Sequence, residues 1–152
     1  MNNLQKQEDL IFSLRAAERI LFGCTNYSVN DLYLNRATQE VAILVARASQ
    51  LKIVPAQHFY DDFTAVRQAS STALKLEQQS ANSFRVINSS KGSSYTVEAK
   101  DDTIVCQCQD YTKQTAAFGQ GCCKHGYRVL KHLGYETLSQ YKEQSSQRAE
   151  AA

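Results

Sequence analysis

The chain has no long hydrophobic run. Its longest unbroken apolar stretch is residues 41–46, far short of the roughly 20 residues a membrane-spanning helix needs. The opening string Met1-Asn2-Asn3-Leu4-Gln5-Lys6-Gln7-Glu8 lacks the basic start and apolar centre of a signal peptide. A reducing cytoplasm is therefore the expected location, with the nucleoid or the nucleus as its variants. Proline is nearly missing: Pro55 is the only one, and it marks a break. Neither sign of charge dominates, since 17 basic and 15 acidic side chains give a net charge of +2. Residues 1–80 hold eight of each sign and residues 81–152 hold nine basic and seven acidic. The small basic excess thus lies in the second half; it permits an anionic partner without demanding one. Also missing are a Ser/His/Asp set, a glycine-rich phosphate loop and paired catalytic carboxylates, so no enzyme is expected. There is no internal repeat and no low-complexity tract.

What is present is a chain of 152 residues, 43% hydrophobic. That suits one domain, or one small domain with an attached module, and is too apolar for a disordered chain. Its cysteines are unevenly spread. Cys106-Gln107-Cys108 is followed after fourteen residues by Cys123-Lys124-His125, with Cys122 beside the second pair and Cys24 far away. The number of cysteines, five, is odd, and neighbouring cysteines make poor mutual disulfides because so short a loop strains the bridge. In a reducing compartment such a cluster points to metal. Three sulfurs and one nitrogen make the closed tetrahedral set of a structural zinc ion; magnesium and calcium take oxygen ligands instead. Reduced cysteines can be buried without any metal, but four candidate ligands in two tight pairs are hard to obtain that way.

The spacing sets constraints. Residues i and i+2 of a strand share a face, so Cys106 and Cys108 can close a strand together. Their Cα atoms would lie roughly 7 Å apart in a flat strand, while two sulfurs on one zinc lie about 3.8 Å apart. The side chains must lean together, or the strand must bend at Cys108. Asp110 is a good N-cap for a helical turn over residues 111–117. Positions i and i+2 within a helix diverge by about 200°, so Cys123 should precede the first turn of a helix that carries His125. Cys122 competes for the fourth position, because Cys122 and His125 at i, i+3 would also meet on a helix.

The first part of the chain reads as helical. Leu4, Ile11, Leu14 and Leu21 recur with helical spacing, and Gly23 with residues 26–30 breaks the pattern. A second helix is expected over residues 36–49, capped by Asn35, its run 41–46 apolar on nearly every side and therefore central and buried. A third starts near Asp61 or Asp62. Residues 84–108 read as a three-stranded antiparallel meander, with turn chemistry at residues 88–93 and at Asp101-Asp102. A helix follows from Cys122 to Leu133, stopped by Gly134. Residues 135–143 suit one more short helix and 144–152 a frayed tail. The expected fold class is α+β: a helical N-terminal region over 1–80, a β-meander-plus-helix metal module over 84–135, and a short helix and tail over 136–152.

The module resembles the SWIM zinc finger. The pattern of that family is Cys-x-Cys, a variable loop, then Cys-x-His opening a helix. Here it reads Cys106-Gln107-Cys108-Gln109-Asp110-Tyr111, preceded by a Tyr95-x-Val97 strand, then Cys123-Lys124-His125 followed by Val129-Leu130. The match covers about residues 84–135. It implies a zinc ion held by Cys106, Cys108, Cys123 and His125, with Cys123 favoured over Cys122 by the family spacing. It implies a DNA-binding or protein-binding role, the latter as an adaptor in a recombination, repair or mobile-element complex. The additional Cys122 and the polar loop 113–121 depart from commoner members.

The residues add a hint of their own. Lys124, Arg128 and Lys131 fall at i, i+4 and i+7 on the last predicted helix, and Lys113 can join them. Such a stripe can contact phosphates, although a charged stripe is more often a solvated face. Tyr111, Phe118 and Tyr127 can stack on bases where exposed and otherwise pack on a small core. His58 beside Asp61 and Asp62 reads as surface and capping chemistry, Cys24 as structural, and His132 as surplus to a ligand set already full. No membrane partner or small-molecule substrate is expected.

Overall fold

In the computed structural model, the described residues are 3–26, 28–46 and 49–150. They form six helices and two antiparallel sheets, of three and four strands. The chain divides into two compact units, Met1–Val66 and Arg67–Ala152. None of the described helices is long and apolar enough to cross a membrane.

The first unit holds α1 (Asn3–Ile11), α2 (Leu14–Phe22), β1 (Val29–Asn35), β2 (Glu40–Val45), β3 (Gln50–Pro55) and most of α3 (Gln57–Ser71). Ser13 caps α2, its side chain accepting from the Ala16 amide, and Gly23 ends it in the left-handed conformation at φ 72°; glycine carries no Cβ penalty there. The strands pair in the order β1-β2-β3. Val41, Ile43 and Val45 of the central strand are buried with Ala16, Ala17, Ala56 and Phe59. Arg19 grips Asp62 through two hydrogen bonds of 2.9 and 2.6 Å.

This sheet corrects the expectation of a helix over 36–49, of which Arg47 and Ala48 lie outside the described residues. The run 41–46 is apolar at every position, which hides its period, but burial along β2 alternates strictly. Its flank is a turn: Asn35 does not cap a helix but accepts from the amides of Ala37 and Thr38, and Gln39 takes φ 56°. β-branched Val41, Ile43 and Val45 suit a pleated surface better than a helix. Residues 1–80 are accordingly not purely helical. The third helix starts at Gln57 rather than at Asp61 or Asp62, whose side chains accept from Gln57 and Arg19 respectively.

The second unit begins in the last turns of α3 and continues through β4 (Lys75–Gln78), β5 (Ser83–Asn88), β6 (Ser93–Ala99), β7 (Ile104–Cys106), α4 (Gln109–Phe118), α5 (Lys124–His132) and α6 (Leu138–Glu150). The sheet is a meander, β4-β5-β6-β7. It extends the expected three strands by β4, whose polar sequence carries no strand signal. Phe84, Val86, Val97 and Ile104 on its inner face pack with Val129 and Leu130 of α5 and with Leu74, Tyr135 and Tyr141. The Tyr141 hydroxyl donates to the Lys100 carbonyl at 2.5 Å. Gly134, at φ 89°, stands just past α5 as expected of a stop signal. The last helix runs on to Glu150, so the tail expected from residue 144 is helical where described; Ala151 and Ala152 lie outside the described residues.

Candidate metal centre

Two backbone junctions build the site. β7 ends at Cys106, and two residues later Cys108, extended at φ −73° and ψ 155°, becomes the N-cap of α4. Its sulfur accepts from the Tyr111 amide at 3.4 Å. The capping residue is therefore Cys108 and not Asp110, which sits in the first turn. Cys123, at φ −79° and ψ 173°, is the N-cap of α5. It stands just outside the helix, where the i, i+2 geometry requires it, and His125 follows inside the first turn. Both helix N-termini thus abut the cluster, and their partial positive charge favours thiolates.

The four ligand atoms of Cys106, Cys108, Cys123 and His125 lie within 4.8 Å of one another, and all four residues are buried. Nδ1 of His125 is 3.9 Å from the Cys106 sulfur and 3.7 Å from the Cys123 sulfur. Ligands sharing a tetrahedral ion with metal–sulfur bonds near 2.3 Å stand about 3.5–3.8 Å apart. The donor set and its spacing therefore fit a metal ion, and Nδ1 is the nitrogen turned to it. The Tyr95 ring lies against the imidazole, centroids 4.7 Å apart, and fixes its plane.

Electrostatics point the same way. Hydrogen bonds from Cys106 and Cys123 pull the Cys108 thiol well below its ordinary range. The bond to Cys108 pushes Cys106 up to about 11, and bonds to Cys106 and Cys108 push Cys123 upward too. Thiolates held this close would also resist one another's charge. A bound cation would remove that resistance. Cys122 behaves differently: burial pushes it up to about 12, and its sulfur faces the Cys123 carbonyl at 4.0 Å and sits where a Cβ on Gly126 would be 3.1 Å away. It is a packing residue of the core.

A clamp that carries no local sequence signal sets the second ligand pair. Gln114, buried on α4, accepts from the Cys122 amide at 3.0 Å and donates to the Cys122 carbonyl at 3.4 Å. It also donates to Asp110 at 3.1 Å, which Arg67 holds through bonds of 3.0 and 2.7 Å. Gly121 lets the strap pass close, since a Cβ there would lie 2.7 Å from the Cβ of Gln114. Bonds to the backbone beside a ligand orient it much as bonds to the ligand itself do.

The cations are less uniform than their spacing implies. Lys113 is exposed on α4, Lys131 is exposed on α5 and Lys124 is half-buried at its start. Arg128 is half-buried, and its Nε donates to the Leu74 carbonyl at 2.8 Å. Tyr111 and Tyr127 pack against the core. His132 lies edge-on to Phe84 at 5.6 Å, outside the ligand set. His58 is exposed. Cys24, expected to be structural, is an exposed free thiol. Comparisons of the chain with family models, curated proteins and solved structures return no match.

Proposed function

We propose that this protein is a zinc-binding, non-enzymatic module of SWIM type that binds DNA. The observation that carries the reading is the buried cluster of three sulfurs and one imidazole nitrogen, all within 4.8 Å of one another. Zinc is the ion of choice for such a donor set, and a closed set of four leaves no position for a reacting water. When bound, the ion would supply charge neutralisation and folding free energy. The protein supplies the rest: two helix N-termini that favour thiolates, and the Gln114 clamp that fixes Cys123. Metal analysis of protein purified without added metal should return one zinc per chain.

The DNA reading rests on the cations around α5 and on the family resemblance. Lys113, Lys124, Arg128 and Lys131 would contact phosphates without reading sequence. Arg128 is a poor probe, because removing it also frees the Leu74 carbonyl. The cleaner variant is Lys124→Ala with Lys131→Ala. In a salt-titrated assay on duplex DNA, wild-type affinity should fall with a log–log slope of roughly −0.9 per phosphate contacted, and the double variant should be shallower by about two units. A folded, zinc-loaded protein that ignores DNA at low salt would leave the adaptor role in its place.

A further inference from the structure

The sheet of the first unit has one face buried and the other bare. Along β2, Val41, Ile43 and Val45 face the core, so Ala42 and Leu44 face outward. Register places Tyr33 and Ile53 on either side of Ala42, and Asp31 and Leu51 on either side of Leu44. Tyr33 is 71% exposed, Leu51 and Ile53 are 61% each and Leu44 is 39%. Half of the eight large hydrophobic residues exposed among the described residues thus share one face of one small sheet. These four side chains leave on the order of 500 Å² open, near the top of what a monomer keeps in one patch and over half of the ~800 Å² per partner in a stable interface.

We infer that this face is the interface with a second copy of the same chain. Its apolar area alone supplies over half of what each partner buries in a stable homodimer. Its charges do not favour a polyanion, because among the described residues in outward register the charged ones are Asp31 and Glu40, both acidic and at opposite ends of the sheet. The face also matches itself along its central row. A two-fold axis through Ala42, perpendicular to the strands, sets Tyr33 on Tyr33 and Ile53 on Ile53. It sets Leu51 on Pro55, each Asp31 opposite the other copy's Asn35 rather than its Asp31, and Leu44 opposite the other copy's Glu40. Ala42, the smallest side chain, falls at the centre, where two sheets can close to about 10 Å. Such an interface is isologous and closes at two copies.

Sedimentation equilibrium of the full chain tests this from about 1 to 100 µM, the range in which a modest interface dissociates. The expected result is a dimer for the wild type and a monomer for Leu51→Lys with Ile53→Lys, both substitutions at exposed positions of an edge strand. Tyr33→Ala removes the most exposed side chain without adding charge. It should raise the dissociation constant at least tenfold, and it keeps the test decisive if the double variant does not fold. A wild type that stays monomeric over the whole range overturns the inference. So does a dimer that folded variants at Tyr33, Leu51 and Ile53 leave unchanged.

Discussion

The two sheets are built alike and finished differently. Each is an antiparallel meander with one face packed on helices. The outer face of the four-stranded sheet is polar: Glu77, Arg85 and Thr96 stand in register across it, and Arg85 reaches Glu77 at 4.0 Å. The outer face of the three-stranded sheet carries Tyr33, Leu44, Leu51 and Ile53. The four-stranded sheet is held from within by the Cys/His cluster, which ties β7 to two helix starts, and it can meet water on its other side. Among the described residues of the first unit there is no such cluster; a small core and the Arg19–Asp62 and Arg36–Glu8 pairs hold it. If the cluster holds the proposed metal, one unit gains its order from ligation and the other from burial, and each should fail in its own way.

Disabling the proposed metal site is the harshest way to separate them. Cys108→Ser takes away a ligand and the α4 cap together. Structural zinc sites contribute about 10–16 kcal/mol of apparent binding energy, comparable with the whole stability of an ordinary domain. Amide hydrogen exchange followed by peptide mass spectrometry should show protection lost over residues 84–135 and kept over 29–45. Equal loss in both would mean that the two sheets do not stand apart energetically.

A milder break targets the clamp. Gln114→Ala removes both bonds to the Cys122 backbone and leaves every ligand in place. Weakening an outer support of this kind costs about 10- to 100-fold in metal affinity, read by competition with a chelator. The Cys₃His charge-transfer spectrum of the cobalt form should remain, which distinguishes a looser site from an unfolded one. Smallest should be Cys122→Ser. The new hydroxyl lies in an apolar core and lowers thermal stability by about 1–3 kcal/mol, while one metal per chain is retained. If metal were lost here and kept in Cys123→Ser, the ligand would be the other thiol.

How much of this could be seen in the sequence depended on how local the cause was. The ligand quartet was legible because its spacing within twenty residues encodes the geometry directly: Cys-x-Cys at a strand end, Cys-x-His across a helix start. The strands at Phe84, Tyr95 and Ile104 were legible because each is a short β-prone run bounded by turn signals, and residues 95–98 also alternate. The three-stranded sheet was not, because residue 42 and residue 44 are apolar although they face outward. A bare face erases the alternation from which a strand is recognised, and the feature that concealed this sheet is the same one that now suggests a partner for it. Gln114 was illegible for another reason. A buried amide that hydrogen-bonds eight residues onward looks like any polar residue of a helix surface, and only the tertiary path of residues 119–122 gives it work. Cys108 as a cap was hidden behind Asp110, a far commoner cap residue.

The bond from Arg128 to the Leu74 carbonyl has a consequence for the order of events in time. Cys106 and His125 are 19 positions apart, whereas Arg128 and Leu74 are 54 apart. Short loops close sooner, because the entropy lost on closure grows with length. The ligand cluster and the β5–β7 strands should assemble early, and docking of the segment before β4 onto α5 should come late. Contacts formed after the rate-limiting step slow escape from the native state without hastening arrival. Arg128 is thus placed as a latch on the unfolding side: its loss should leave the refolding rate almost untouched and shorten the lifetime of the folded protein.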